Sequence, residues 1–119
     1  MSVSDEGHLR YIRTSGDELI DAGRASGTMP GTVVVRFTYN GNPTVYARFT
    51  IYAHAGSISG YAKGHLSNPT SASPSFRGAL SLGGGGGRYA HARGSGELYG
   101  VFDRRSYAMT VQTRGRLTY

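Results

Sequence analysis

Residues 32–54 read Thr32-Val33-Val34-Val35-Arg36-Phe37-Thr38-Tyr39, then Asn40-Gly41-Asn42-Pro43, then Thr44-Val45-Tyr46-Ala47-Arg48-Phe49-Thr50-Ile51-Tyr52-Ala53-His54. Both outer runs alternate with period two, the mark of strands that turn one face to a core. One face holds Val33, Val35, Phe37 and Tyr39, then Val45, Ala47, Phe49, Ile51 and Ala53. The other holds Thr32, Val34, Arg36 and Thr38, then Thr44, Tyr46, Arg48, Thr50, Tyr52 and His54. A hairpin must set apolar against apolar, because a one-residue slip turns every side chain to the wrong face. A three-residue loop of Gly41, Asn42 and Pro43 meets that condition, pairing Tyr39 with Val45, Phe37 with Ala47, Val35 with Phe49 and Val33 with Ile51. A two-residue loop sets Val35 against Arg48 and is rejected.

The same test extends along the chain. A two-residue turn at Ala55-Gly56, with Gly supplying positive φ, predicts Ala53 opposite Ile58, Ile51 opposite Gly60, Phe49 opposite Ala62 and Val45 opposite Leu66. On the polar face this register sets Tyr46 against His65 and Arg48 against Lys63, a like-charge pair. Ser75 to Leu82 reads as a strand with Phe76, Gly78, Leu80 and Leu82 inward, after an exposed loop at 67–74 rich in Ser, Pro and Thr. A two-residue turn at Arg104-Arg105, or a longer loop of the same parity, sets Phe102 against Tyr107, Gly100 against Met109, Leu98 against Val111 and Gly96 against Thr113. Leu9 to Thr14 and Glu18 to Thr28 are fainter strands. Eight strands in sequence with short connections predict an all-β fold, a single up-and-down antiparallel barrel. Such a barrel is filled by side chains or holds one small ligand. Gly60, Gly64, Gly78, Gly96, Gly100 and Gly115 fall on the inward parity, where small residues admit bulky neighbours across a curved sheet. The inverted parity would instead place tyrosines, arginines and Glu97 in a polar interior.

The 119 residues leave room for one domain. The absence of cysteine excludes a disulfide scaffold, a thiolate metal site and a cysteine nucleophile. Net charge is +6, but it divides unevenly. Residues 1–21 hold Asp5, Glu6, Asp17, Glu18 and Asp21 against Arg10 and Arg13, a net of −3, while residues 22–119 hold eleven cations against Glu97 and Asp103, a net of +9. Residues 1–30 therefore read as an acidic segment with weak strands, suited to lie as a lid over one mouth of a body at 31–119. On that reading, removing residues 1–21 leaves a folded barrel. No apolar run approaches the roughly 18 residues of a membrane span, and the opening MSVSDEGHLRY is acidic and polar where a secretory signal is basic and then apolar. A cytoplasmic protein with no membrane partner is expected.

Residues 83–96 read Gly83-Gly84-Gly85-Gly86-Gly87-Arg88-Tyr89-Ala90-His91-Ala92-Arg93-Gly94-Ser95-Gly96. This segment resembles a signature of the allene oxide cyclase and dirigent-like barrels: Gly-Gly-Thr-Gly, Arg or Lys, Phe or Tyr, two free positions, Ala, Arg or Val, and Gly. The likeness spans residues 80–118 and departs from the family in lacking the Thr or Ser of the glycine run. It implies a barrel in which the glycines make a tight crossing at one end and Tyr89 plugs it. It also implies the activity of the family's bacterial members, small cofactor-free cyclases of specialised metabolism. None of the family's catalytic carboxylates and arginines is carried over to a position here. A phosphate-loop reading fails because Arg-Tyr-Ala follows the glycines, where a Gly-Lys-Ser/Thr leading into a helix is required.

The function expected is binding of a largely apolar small molecule in the lumen, with Phe37, Phe49, Phe76, Leu98, Phe102 and Met109 as ligand-binding residues. Cyclisation or isomerisation would then proceed without a cofactor, by holding the substrate in a reactive shape. Glu97 and Tyr99 are the candidate catalytic pair, as a base and a neighbouring phenol. The competing reading of Glu97 is an outer-wall carboxylate beside a cation such as Arg114. An enclosed apolar cavity of about 300 Å³ or more would favour an enzyme. An alternative uses the polar face, where Arg48, Tyr61, Lys63 and Arg114 interleave aromatics with cations suited to nucleic acid or another polyanion. A further alternative is a self-assembling structural module with a filled core, a second copy of the chain being its partner. His54, His65 and His91 do not form a metal site, since zinc needs three or four convergent ligands.

Overall fold

A computed structural model describes residues 1–38, 43–68 and 70–119. The alternating runs become β1 (Ser2–Ser15), β2 (Glu18–Gly27), β3 (Gly31–Phe37), β4 (Thr44–Ala53), β5 (Gly56–Ser67), β6 (Ser75–Gly87), β7 (Arg93–Phe102) and β8 (Met109–Thr118). Each strand is antiparallel to the next, and β1 returns to β8, from Ser2 opposite Arg116 to Leu9 opposite Met109. The result is one closed eight-stranded up-and-down barrel. Closure leaves no free sheet edge, which matters in a chain so rich in β-forming residues. The acidic residues 1–30 supply β1 and β2, two staves of the wall.

The β3–β4 register is the one that parity selects: Phe37 faces Ala47, Val35 faces Phe49 and Val33 faces Ile51. The expected Tyr39–Val45 pair and the loop positions Gly41 and Asn42 lie outside the described residues. Two other hairpins keep the expected parity but slide by two residues. Between β4 and β5 the turn is His54-Ala55, so Ile51 faces Ile58, Phe49 faces Gly60 and Val45 faces Gly64. Gly56 is thereby released from the turn to pair with Gly87, where a side chain would strike the Gly86 carbonyl. On the outer face the slide sets Arg48 against Tyr61 and Tyr46 against Lys63, so the Arg48–Lys63 pair does not form.

Between β7 and β8 the connection runs from 103 to 108, and Phe102 faces Met109, Gly100 faces Val111, Leu98 faces Thr113 and Gly96 faces Gly115. Asp103 organises this longer loop. Its carboxylate accepts the Arg105 N–H at 2.8 Å, its own N–H donates to the Ala108 carbonyl, and the Tyr107 N–H donates to its carbonyl. The Arg105 N–H foremost, with Ser106 beside it, holds the Asp103 carboxyl below its ordinary pKa. Tyr107, held at φ 62°, leaves the strand and stacks its ring on Phe102, with centroids 6.1 Å apart.

The glycine run is strand where a crossing was expected. Gly85, Gly86 and Gly87 pair with Ile58, Ser57 and Gly56, beyond the last β6–β7 pair at Gly83–Arg93. A bulge opposite Ser59, with Gly84 at φ 85°, adds one residue to β6 and so shifts its alternation by one between Leu82 and Gly85. Past it, 88–92 fold back, and Gly84 donates its N–H to the Ala92 carbonyl at 2.8 Å. Tyr89 is thereby buried over one mouth with Met29, Ile58, Ala92 and Leu117.

Candidate functional site

Edge-to-face aromatic pairs stand at both ends of the barrel, and the interior between them is largely apolar. At one end Tyr89 meets Tyr119 edge to face, with centroids 5.2 Å apart, and Arg88 lies over the Tyr119 ring at 5.0 Å. At the other, Phe102 meets Phe37 edge to face at 5.7 Å while Tyr107 bridges Phe102 to Tyr11. Between these plugs lies a cavity of about 170 Å³. Phe37, Phe49, Phe76, Leu98, Phe102 and Met109 all line it. Parity reading therefore picked the face that turns inward, and the core is not filled.

The lining strands come close because glycine faces the largest rings. A Cβ at Gly60 would lie 2.8 Å from the Phe49 ring, and one at Gly100 would lie 2.5 Å from that of Phe76. The cavity falls short of the about 300 Å³ at which drug-sized pockets begin. It is close to the about 150 Å³ that admits one benzene in an apolar protein core. Size and lining together suit a single-ring apolar molecule.

Glu97 and Tyr99 are not brought to this interior. Both are exposed on the outer wall, Glu97 in register with Arg114 and Tyr99 with Gln112. The Arg77 guanidinium lies over the Tyr99 ring at 5.7 Å. Among the outer cationic and aromatic positions, Arg48, Tyr61 and Lys63 cluster on β4 and β5, with Lys63 over the Tyr46 ring at 5.7 Å. Arg114 stands apart on β8, separated from Lys63 by Ala79 and Glu97 along one row. His65 faces Thr44 and Arg77, whereas His54 and His91 lie in turns at the Tyr89 end. Among the described residues no group of three His, Cys, Asp or Glu side chains could hold a metal ion.

Two carboxyls escape a reading based on charge counts. Asp5 lines the cavity near Met29, whose N–H donates to its Oδ1 at 2.8 Å; burial raises its pKa and that hydrogen bond opposes the rise. Asp21 is more extreme. It is 0 % exposed, and neither carboxyl oxygen has a hydrogen-bond partner among the described residues. Burial alone pushes its pKa up to about 7. The available signal was its place in Glu18-Leu19-Ile20-Asp21-Ala22-Gly23, where it shares a face with Leu19 and Gly23. Compared with protein-family models, curated proteins and solved structures, the chain matches none.

Proposed function

We propose that the barrel binds a small, largely apolar molecule in its lumen. The observation that carries this reading is the apolar cavity retained inside the closed barrel sheet. A packed interior with no function has reason to fill such a space, since an unfilled cavity costs stability in proportion to its volume. The likeness of the Gly83–Gly96 segment to the cofactor-free cyclases agrees with the same use. The test is a titration with p-xylene followed by methyl resonances of Met109 and Leu98. Saturable shifts are expected, and Ala62→Leu, which narrows the lumen, should weaken them. Absence of any shift at the solubility limit of p-xylene would overturn the reading.

A second reading is favoured by the outer wall of β4 and β5. Tyr61 is 68 % and Tyr46 65 % exposed, each directly opposite a cation, Arg48 and Lys63 respectively. Exposed rings interleaved with cations stack bases and neutralise phosphates of a single strand. Gel mobility with a single-stranded oligonucleotide at two salt concentrations tests this, because phosphate contacts weaken steeply with salt. Retardation at low salt that Lys63→Glu abolishes supports it, and no retardation removes it.

A further inference from the structure

We propose that single-stranded nucleic acid crosses the outer wall diagonally from β3 to β7, on a track of three repeated units of one tyrosine and one cation. This rests on the second reading above and extends its site from β4 and β5 to Arg77 and Tyr99. Arg48, Lys63 and Arg77 are exposed on three successive strands, and each has a tyrosine directly opposite: Tyr61, Tyr46 and Tyr99 respectively. Two of these couples are in contact, Lys63 over the Tyr46 ring and Arg77 over the Tyr99 ring, both at 5.7 Å. The register makes the line regular. Lys63 lies two residues along β5 from Tyr61, the partner of Arg48, and Arg77 lies two residues along β6 from Ala79, the partner of Lys63. Such diagonal neighbours stand about 7–8 Å apart. Arg36, directly opposite Arg48, adds a fourth cation at the start of the line.

The partners of these cations argue for an external anion. A wall built for stability sets carboxylates opposite cations, as Glu97 stands opposite Arg114. None of the four track cations has a carboxylate in register: their cross-strand partners are one another, Ile20, Ala79, His65 and the three tyrosines. Glu18 reaches Arg48 from β2 at 3.0 Å, a solvent-accessible pair that a phosphate can replace. Tyr99 is 46 % exposed and the other two rings more so, which leaves them open to bases of any sequence. The step between units exceeds the about 3.4 Å rise of a base-paired strand. It suits an unpaired strand whose bases leave one another to stack on the rings. Beyond Tyr99 the line ends at Gln112, which donates to the Glu6 carboxylate.

The test is fluorescence anisotropy of the full chain with a fluorescein-labelled oligothymidylate and with an abasic strand of the same length. Tyr99→Ala should weaken the oligothymidylate about tenfold, the worth of one stacked base, and leave the abasic strand unchanged. Arg77→Gln should weaken both, and should flatten the dependence of log affinity on log salt by about 0.7, one phosphate contact of a single strand. Arg24→Gln removes the same charge from an exposed position on β2, off the track, and should keep the wild-type slope. If Arg77→Gln and Tyr99→Ala bind as wild type does while Lys63→Glu does not, the site stops at β5; the track is overturned and the second reading stands. If the abasic strand binds wild type as tightly as the oligothymidylate, the rings are not platforms and the wall is a general polyanion surface, which also overturns the track. If neither strand binds wild type, both readings fall.

Discussion

The ring of Phe76 occupies the space that a side chain at Gly100 would fill, 2.5 Å from an ideal Cβ there. The two are in register on β6 and β7, and the Thr110 carbonyl crowds the same Gly100 position from β8. Gly100→Ala should therefore destabilise by about 1–3 kcal/mol, the usual cost of overpacking. Because one obstacle is backbone, Gly100→Ala should cost less, but still cost stability, when introduced into Phe76→Ala. Denaturant midpoints of wild type, the two single variants and the double variant decide this, and no cost in the Phe76→Ala background would show that the ring alone sets the requirement.

This relationship marks what was legible in the sequence. Parity identified Phe76 and Gly100 as inward residues, and it identified the lumen lining contributed by β3 to β8, because apolar residues must share a face whatever the turn; the lining from β1 and β2, with Val3, Asp5, Leu9 and Ala25, lay in runs too weakly alternating to read. It did not fix the register beyond β3–β4. A shift by two residues leaves every side chain on its face, so Phe49 opposite Gly60 or opposite Ala62 satisfies the same rule. In the structure the β4–β5 turn falls at His54-Ala55 and β7–β8 is joined by a longer Asp103-centred loop, neither of which a period-two pattern encodes. The glycine run had no side chains to alternate and so gave no strand signal. Asp21 was hidden for another reason: a charged residue in a weakly alternating run reads as outward unless its neighbours' register is known.

Asp21 makes the protein more stable in acid. Unfolded, its carboxyl has the ordinary value of 3.8; folded, it is raised to about 7. Between these values the folded chain holds a proton that the unfolded chain has lost, so stability falls as pH rises through this window and levels off above it. The full shift corresponds to about 4 kcal/mol. Asp5, also raised by burial, acts in the same direction, whereas exposed Asp103, lowered by its loop hydrogen bonds, acts in the opposite one. Urea midpoints between pH 4.5 and 8.5 should fall for wild type. They should stay much flatter for Asp21→Val, which should also exceed wild type at pH 8.5, because it removes an unpartnered buried charge. A wild-type profile that is flat or rises would contradict this.

Arg36 and Arg48 stand directly opposite each other on β3 and β4, and Glu18 reaches across to Arg48 at 3.0 Å. The carboxylate thus relieves a like-charge cross-strand pair. Glu18→Gln should lower stability by about 0.5 kcal/mol at low salt, as expected of a solvent-accessible ion pair. The difference should shrink at high salt, where screening weakens both the attraction and the repulsion. An effect insensitive to salt would assign Glu18 a packing role instead.

Removing residues 1–21 should abolish cooperative folding, the reverse of what an acidic lid predicts. The segment contains all of β1, whose Leu9 is buried and whose two edges pair with β2 and β8. It also takes Leu19, Ile20 and Asp21, the part of β2 that pairs with Phe37, Arg36 and Val35. What remains is an opened sheet with β8 unpaired on one side and β3 half-paired on the other, two strand edges that invite association between chains. The lumen would lose Val3, Gly7 and Leu9 from its wall and admit water to the rest. Circular dichroism melts together with size-exclusion chromatography separate the outcomes. Broad, non-cooperative melting with aggregates identifies the acidic segment as wall, and a sharp monomeric transition would show that β3 to β8 hold a folded sheet on their own.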